Sequence, residues 1–136
     1  VLQVNATTGE VVDEISASTR TLTDELLGFR EQHDVRWTDE GTLMAFNHYP
    51  TKSVCVEYEV TATELNPTWT HGLDEDIVGT IQGQCYRLEN GNTLVNFGGA
   101  GIVREVTPEG TVVWEVQSGL GSWISNVEMF SDIYSF

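Results

Sequence analysis

Basic side chains are scarce in this sequence: six Lys and Arg stand against 21 Asp and Glu, for a formal net charge of -15. A surface of that sign repels nucleic-acid phosphates and anionic lipid headgroups, which excludes both as general partners. It attracts cations and basic proteins, and its plain reading is solubility. No apolar run approaches the ~20 residues needed to span a bilayer. No signal-peptide pattern is present, and the sequence opens on Val1 rather than Met, so it is read as a processed product or a piece of a longer chain. Cysteine is reduced to Cys55 and Cys85. Two cysteines build no zinc site, and no Cys-x-x-Cys spacing occurs; the pair forms either one disulfide or two buried thiols. Gly98-Gly99-Ala100-Gly101 lacks the spacing of a dinucleotide or phosphate loop, so it is read as a tight connection and no cofactor is expected. Asp74-Glu75-Asp76 departs from EF-hand spacing and reads as a solvated loop, so no metal is expected.

What is present suits a globular domain: 136 residues, 40% of them hydrophobic. Helical signal is weak. Leu22 to Arg30 is the best stretch, with Thr23 as its N-cap. Strand signal is stronger, and it repeats. His33 through Phe46 aligns with Gln84 through Phe97, placing Arg36 on Arg87, Thr42 on Thr93 and Leu43 on Leu94. Both copies read strand, polar turn, strand, with Asp, Asn and Gly supplying the turn conformations. A second pattern, Val4 through Ile15, returns as Val106 through Val116, with a degenerate middle copy from Val56 to Trp69. The recurrence at roughly 50 residues is the period of a four-stranded propeller blade.

The expected fold is therefore all-β, built of β-propeller blades of four antiparallel strands. Residues 1–16 read as the outer hairpin of one blade, 32–71 as a second blade and 82–116 as a third. The aromatic stretch 123–136 reads as a C-terminal tail or closing strand. A closed propeller takes about four to eight blades, and this chain supplies about two and a half. The ring is incomplete, and the remaining blades are expected on the parent chain or on a partner chain.

The repeats carry a family resemblance. Gln32-His33-Asp34-Val35-Arg36 with Asp39-Glu40-Gly41-Thr42-Leu43, then Gln82 through Val95, then Arg104 through Glu115 resemble three consecutive segments of arylsulfotransferase-like propellers. The resemblance implies the C-terminal blades of such a propeller. It implies sulfuryl transfer from an aryl sulfate to a phenol through a transiently sulfated histidine, since imidazole is a good nucleophile near neutral pH. Of the family's catalytic residues it assigns His33 alone here. The family's other histidines and its arginine fall in earlier blades. Where the family reads Phe-Asp-Asn, this sequence has Phe46-Asn47-His48.

Other residues have plainer readings. His48 is expected in a loop and His71 at the surface. Arg36 and Arg87 recur at matching positions and are expected to pair with acids between blades. Trp37, Trp69, Trp114 and Trp123 are expected as core or rim packing. Asn5-Ala6-Thr7 fits the N-glycosylation acceptor pattern, making Asn5 a modification candidate. Two functions remain open: a sulfotransferase-like enzyme, and a non-catalytic structural or binding module in an extracellular assembly. Either is expected outside the cytosol, secreted, extracellular or periplasmic.

Overall fold

The structure is a computed structural model that describes residues 1–16, 18–119 and 122–128. It is all-β, in three sheets. A hairpin joins β1 (Leu2–Val4) to β2 (Val11–Glu14). The second sheet holds β3 (Thr21–Leu22), β4 (His33–Trp37), β5 (Leu43–Tyr49), β6 (Lys52–Val60) and β7 (Glu64–His71), in the order β3-β7-β6-β5-β4. The third holds β8 (Gln84–Arg87), β9 (Thr93–Asn96), β10 (Ile102–Val106) and β11 (Val112–Gln117), in the order β11-β10-β9-β8. Both larger sheets are antiparallel meanders, except that β3 pairs parallel with β7. The described sheets form no closed ring.

The repeated turns explain the repeated sheets. The Thr38 N–H donates to the Thr42 carbonyl at 2.8 Å, and the Gly41 N–H to the Thr38 carbonyl at 3.1 Å. The same two bonds recur at Leu88/Asn92 with Gly91, and at Thr107/Thr111 with Gly110. Each glycine sits at positive φ (84°, 85° and 89°), the left-handed position that closes this kind of hairpin loop.

The expected helix at Leu22–Arg30 is instead a single 3-10 turn at Glu25–Leu27, capped by Asp24 rather than Thr23. The Asp24 carboxylate accepts from the Leu26 N–H at 3.0 Å, while the Thr23 hydroxyl bonds Asn66. The segment is pinned at both ends, by β3 on β7 and by the Arg30 carbonyl on the His48 N–H. Its few residues must cross that span, so tertiary pairing overrides the local helical signal. Residues 122–128 form no strand and run along the third sheet; the remainder of the expected closing element, 129–136, lies outside the described residues.

Two apolar clusters fill the interior. One, around Ile15, Leu27, Val56 and Tyr58, lies on the β1–β2 side of the second sheet. The other joins the two large sheets: Met44, Phe46 and Cys55 from one meet Cys85, Val95, Phe97 and Val106 from the other. Phe46 and Phe97 pack edge to face with centroids 5.7 Å apart. Cys55 on β6 and Cys85 on β8 are bonded as a disulfide, Cα atoms 6.0 Å apart, which resolves the alternatives left by the sequence. Arg87 on β8 pairs with Glu57 on β6 and lies over the Trp69 ring, so this arginine does bridge the sheets. Arg36 pairs within its own strand, with Asp34, and reaches the other sheet through its cation–π contact on Tyr86.

The disulfide closes a sequence separation of 30 residues, for which loop-closure entropy gives about 3–4 kcal/mol. The double variant Cys55→Ala/Cys85→Ala is expected to lose about that much stability in urea titration against the oxidised protein. Coincident midpoints would mean that the inter-sheet core holds without the crosslink.

Candidate functional site

His33 opens β4, opposite Phe46 on β5. A register shift between His33 and Arg36 leaves Asp34 unpaired in the ladder at φ 50°. Bulges of this kind redirect the neighbouring side chain. Glu31, two residues earlier, has φ 44°, and Gln82 has φ 60°. Among the described residues these three are the non-glycine residues at positive φ. Such backbone costs roughly 1–3 kcal/mol per residue and concentrates at functional sites. Here two of the three flank His33, and the third anchors its neighbour.

That neighbour is His48, whose ring meets His33 edge to face at 5.2 Å. The expectation of a loop position is corrected: His48 lies within β5 and is buried. It stacks edge to face on Phe46 at 5.3 Å. Both ring nitrogens are engaged. Nε2 lies 2.6 Å from the Gln82 carbonyl and Nδ1 lies 3.0 Å from the Ser53 hydroxyl. A carbonyl only accepts, so Nε2 carries the proton, and in the neutral ring Nδ1 shares the single Ser53 hydroxyl proton with the Gly79 carbonyl, which lies 3.0 Å from the same oxygen. Burial lowers the His48 pKa, opposed by the Gln82 carbonyl and reinforced by His33. His48 is therefore a fixed, neutral ring.

His33 is exposed, and neither of its ring nitrogens takes a hydrogen bond among the described residues. Its repeat counterpart Gln84 is fully occupied. The Gln84 carboxamide accepts from the Val127 N–H at 2.7 Å and donates to Asn126, and Asn96 beside it donates to the Ile124 carbonyl at 2.9 Å. The same strand position thus holds a polypeptide segment in one sheet and a free imidazole in the other.

His71 belongs to a separate network. It was expected at the surface and is instead buried, stacked on Trp69 and close to Phe97. The reason is that Arg104 covers it, with Nη1 at 3.3 Å from Nε2. Arg104 in turn donates to Glu75 at 2.7 Å and to Glu115 at 2.6 Å. Glu75 is thereby removed from the acidic run, and among the described residues no group of three His, Cys, Asp or Glu is placed to hold a metal. His33 and His48 cannot chelate one either, because both His48 nitrogens are taken. The cations show a similar economy. Arg20, Arg36, Arg87 and Arg104 each pair with a carboxylate, and Lys52 donates to the Leu73 carbonyl. Arg30 forms no ion pair among the described residues. Its N–H donates to Asn47 at 3.2 Å, its carbonyl accepts from the His48 N–H at 3.0 Å, and it is exposed. Sequence reasoning missed the Arg30, His48, Ser53 and Gln82 framework; the one signal was His48 standing where the related pattern has Asn.

The family model for arylsulfotransferase (ASST) matches residues 18–119. Among solved structures, a protein of unknown function from Bacteroides caccae is similar over 63% of this chain at 18% identity, with a TM-score of 0.46. The chain covers 31% of the length of that protein. No curated protein matches the sequence.

Burial depresses the pKa of both His48 and His71 below the ordinary 6.5. Just below that value the unfolded chain binds protons that the folded chain refuses. Stability is therefore complete above about pH 6.5 and falls as the pH drops toward the folded values. Urea midpoints are expected to fall between about pH 7.5 and pH 5.5, and to fall less in a His48→Gln/His71→Gln variant. A slope unchanged by the double substitution would place the proton uptake elsewhere.

Proposed function

The chain belongs to the arylsulfotransferase (ASST) family, and from that premise we propose that it is a segment of a β-propeller in which His33 accepts a sulfuryl group from an aryl sulfate and passes it to a phenol. In this reading the sheets β4–β7 and β8–β11 are two blades, and the β1–β2 hairpin is the outer half of another. The rest of the ring comes from the parent chain or from a partner chain. The compartment is outside the cytosol, which the Cys55–Cys85 disulfide supports.

The observation that carries the reading is the contrast between the two stacked imidazoles. A sulfuryl acceptor needs a ring nitrogen with an open lone pair, and His33 has one where His48 does not. The His33 nitrogen attacks sulfur, an N–S bond forms, and the S–O bond to the aryl group breaks as phenolate leaves. The acceptor phenol oxygen then attacks sulfur, the N–S bond breaks to release the imidazole, and the phenol proton passes to solvent, where it balances the phenolate released in the first step. His48 positions His33 by its fixed ring edge and carries no charge to repel the imidazolium ring of the zwitterionic sulfated intermediate.

A second reading, a non-catalytic binding or structural module, is favoured by the charge. A net charge of -15 repels an anionic aryl sulfate, and most of the cations are already paired. Intact mass of the natively isolated protein before and after incubation with a nitrophenyl sulfate separates the two. The enzyme reading expects a sulfuryl adduct that is absent from His33→Ala, with turnover reduced at least ~10³-fold. His48→Gln is expected to keep the adduct and to reduce turnover by about 10²-fold through misplacement of His33. No adduct, with turnover at background, leaves the module reading.

A further inference from the structure

The turn between β1 and β2 carries Asn5-Ala6-Thr7, a triplet with no part in the site around His33. We propose that Asn5 is a site of N-linked glycosylation, with a lipid-linked oligosaccharide phosphate as donor. All three residues are exposed, at the tip of a hairpin. Space around the turn is open: a Cβ placed on Gly9 would meet nothing within 4 Å. The Asn5 side-chain oxygen accepts from the Thr7 N–H at 2.8 Å and from the Thr8 N–H at 3.1 Å. This leaves the Asn5 amide nitrogen and the Thr7 hydroxyl without a hydrogen bond among the described residues. The two groups that an acceptor triplet must present are thus the two that the turn does not use. Turn closure itself rests on backbone, through Asn5 N–H to the Glu10 carbonyl at 2.9 Å and Gly9 N–H to the Asn5 carbonyl at 2.8 Å. A glycan there displaces no buried contact.

The second, independent observation is the Cys55–Cys85 disulfide, a crosslink that persists in the oxidising compartments through which glycosylated chains pass. In the transfer, Asn5 Nδ2 attacks the anomeric carbon of the donor sugar. A C–N bond forms, the C–O bond to the phosphate breaks, the lipid phosphate leaves as an anion, and one amide proton passes to a base of the transferase.

The test is peptide mass mapping of the protein isolated from its natural source, with and without an amidase that releases Asn-linked glycans. A glycan-bearing Asn5 peptide, converted to aspartate at position 5 by the amidase, is the expected result. Because the turn uses the Thr7 N–H and not its hydroxyl, Thr7→Ala keeps the hairpin and is expected to lose the glycan completely, whereas Thr7→Ser retains it. An unmodified Asn5 in the natively produced protein, or a glycan that survives Thr7→Ala, overturns the assignment. Neither result depends on the sulfuryl-transfer reading.

Discussion

Phe46 and Phe97 meet edge to face between the two large sheets, and the Cys55–Cys85 bond ties those sheets together beside them. Burying each ring contributes ~2–3 kcal/mol, the aromatic pair adds about 1 more, and the crosslink adds about 3–4. The Arg87–Glu57 pair across the same junction is largely buried, and the cost of desolvating its two charges offsets most of their attraction. Apolar contact and the covalent bond therefore set how the sheets lie, and the charges follow. The closeness is demanding. A Cβ on Gly83 would sit 2.3 Å from the Phe46 ring, at a φ of 117° that L side chains rarely adopt. Any larger residue there forces the sheets apart.

The candidate site hangs from this junction. Phe46 packs on Phe97 with one ring contact and on His48 with another. His48 reaches Gln82, the residue before the tightly packed Gly83, and so spans from the second sheet to the segment leading into the third. His33 stands against the ring held in this way. The division of labour is physical: one imidazole gives up both nitrogens to fix its position, and the other keeps both open. The backbone supports the arrangement with its unusual conformations at Glu31, Asp34 and Gln82.

Charge is rationed in the same structure. Of six basic residues, four are held by carboxylates and one by a carbonyl. Arg104 is the most engaged, lying over Phe97 while bonding Glu75, Glu115 and His71. This network sits at the outer side of the sheet junction and buries His71, which local sequence alone places beside an acidic run and hence in water. Glu105 is buried where it accepts from Asn90, Asn92 and Trp114, and most of the other acids among the described residues face solvent, where they keep the protein soluble and make it a poor partner for anions.

By itself the sequence determined the all-β class, the strand–turn–strand copies and their positions, because period-2 patterning and Asp/Asn/Gly turns are local properties that neighbouring residues specify. It also singled out His33, through a motif rather than through any physical necessity. Only the tertiary structure decided the rest, and each case turned on a partner distant in sequence. Cys55 and Cys85 became a disulfide because β6 and β8 face each other across the junction. The stretch after Leu22 became one 3-10 turn because β7 and His48 fix its two ends. His48 and His71 went inside because Gln82, Ser53 and Arg104 supply the hydrogen bonds that burial requires. A polar residue is buried only where such partners converge, and that convergence is set by packing between sheets, which no local pattern records.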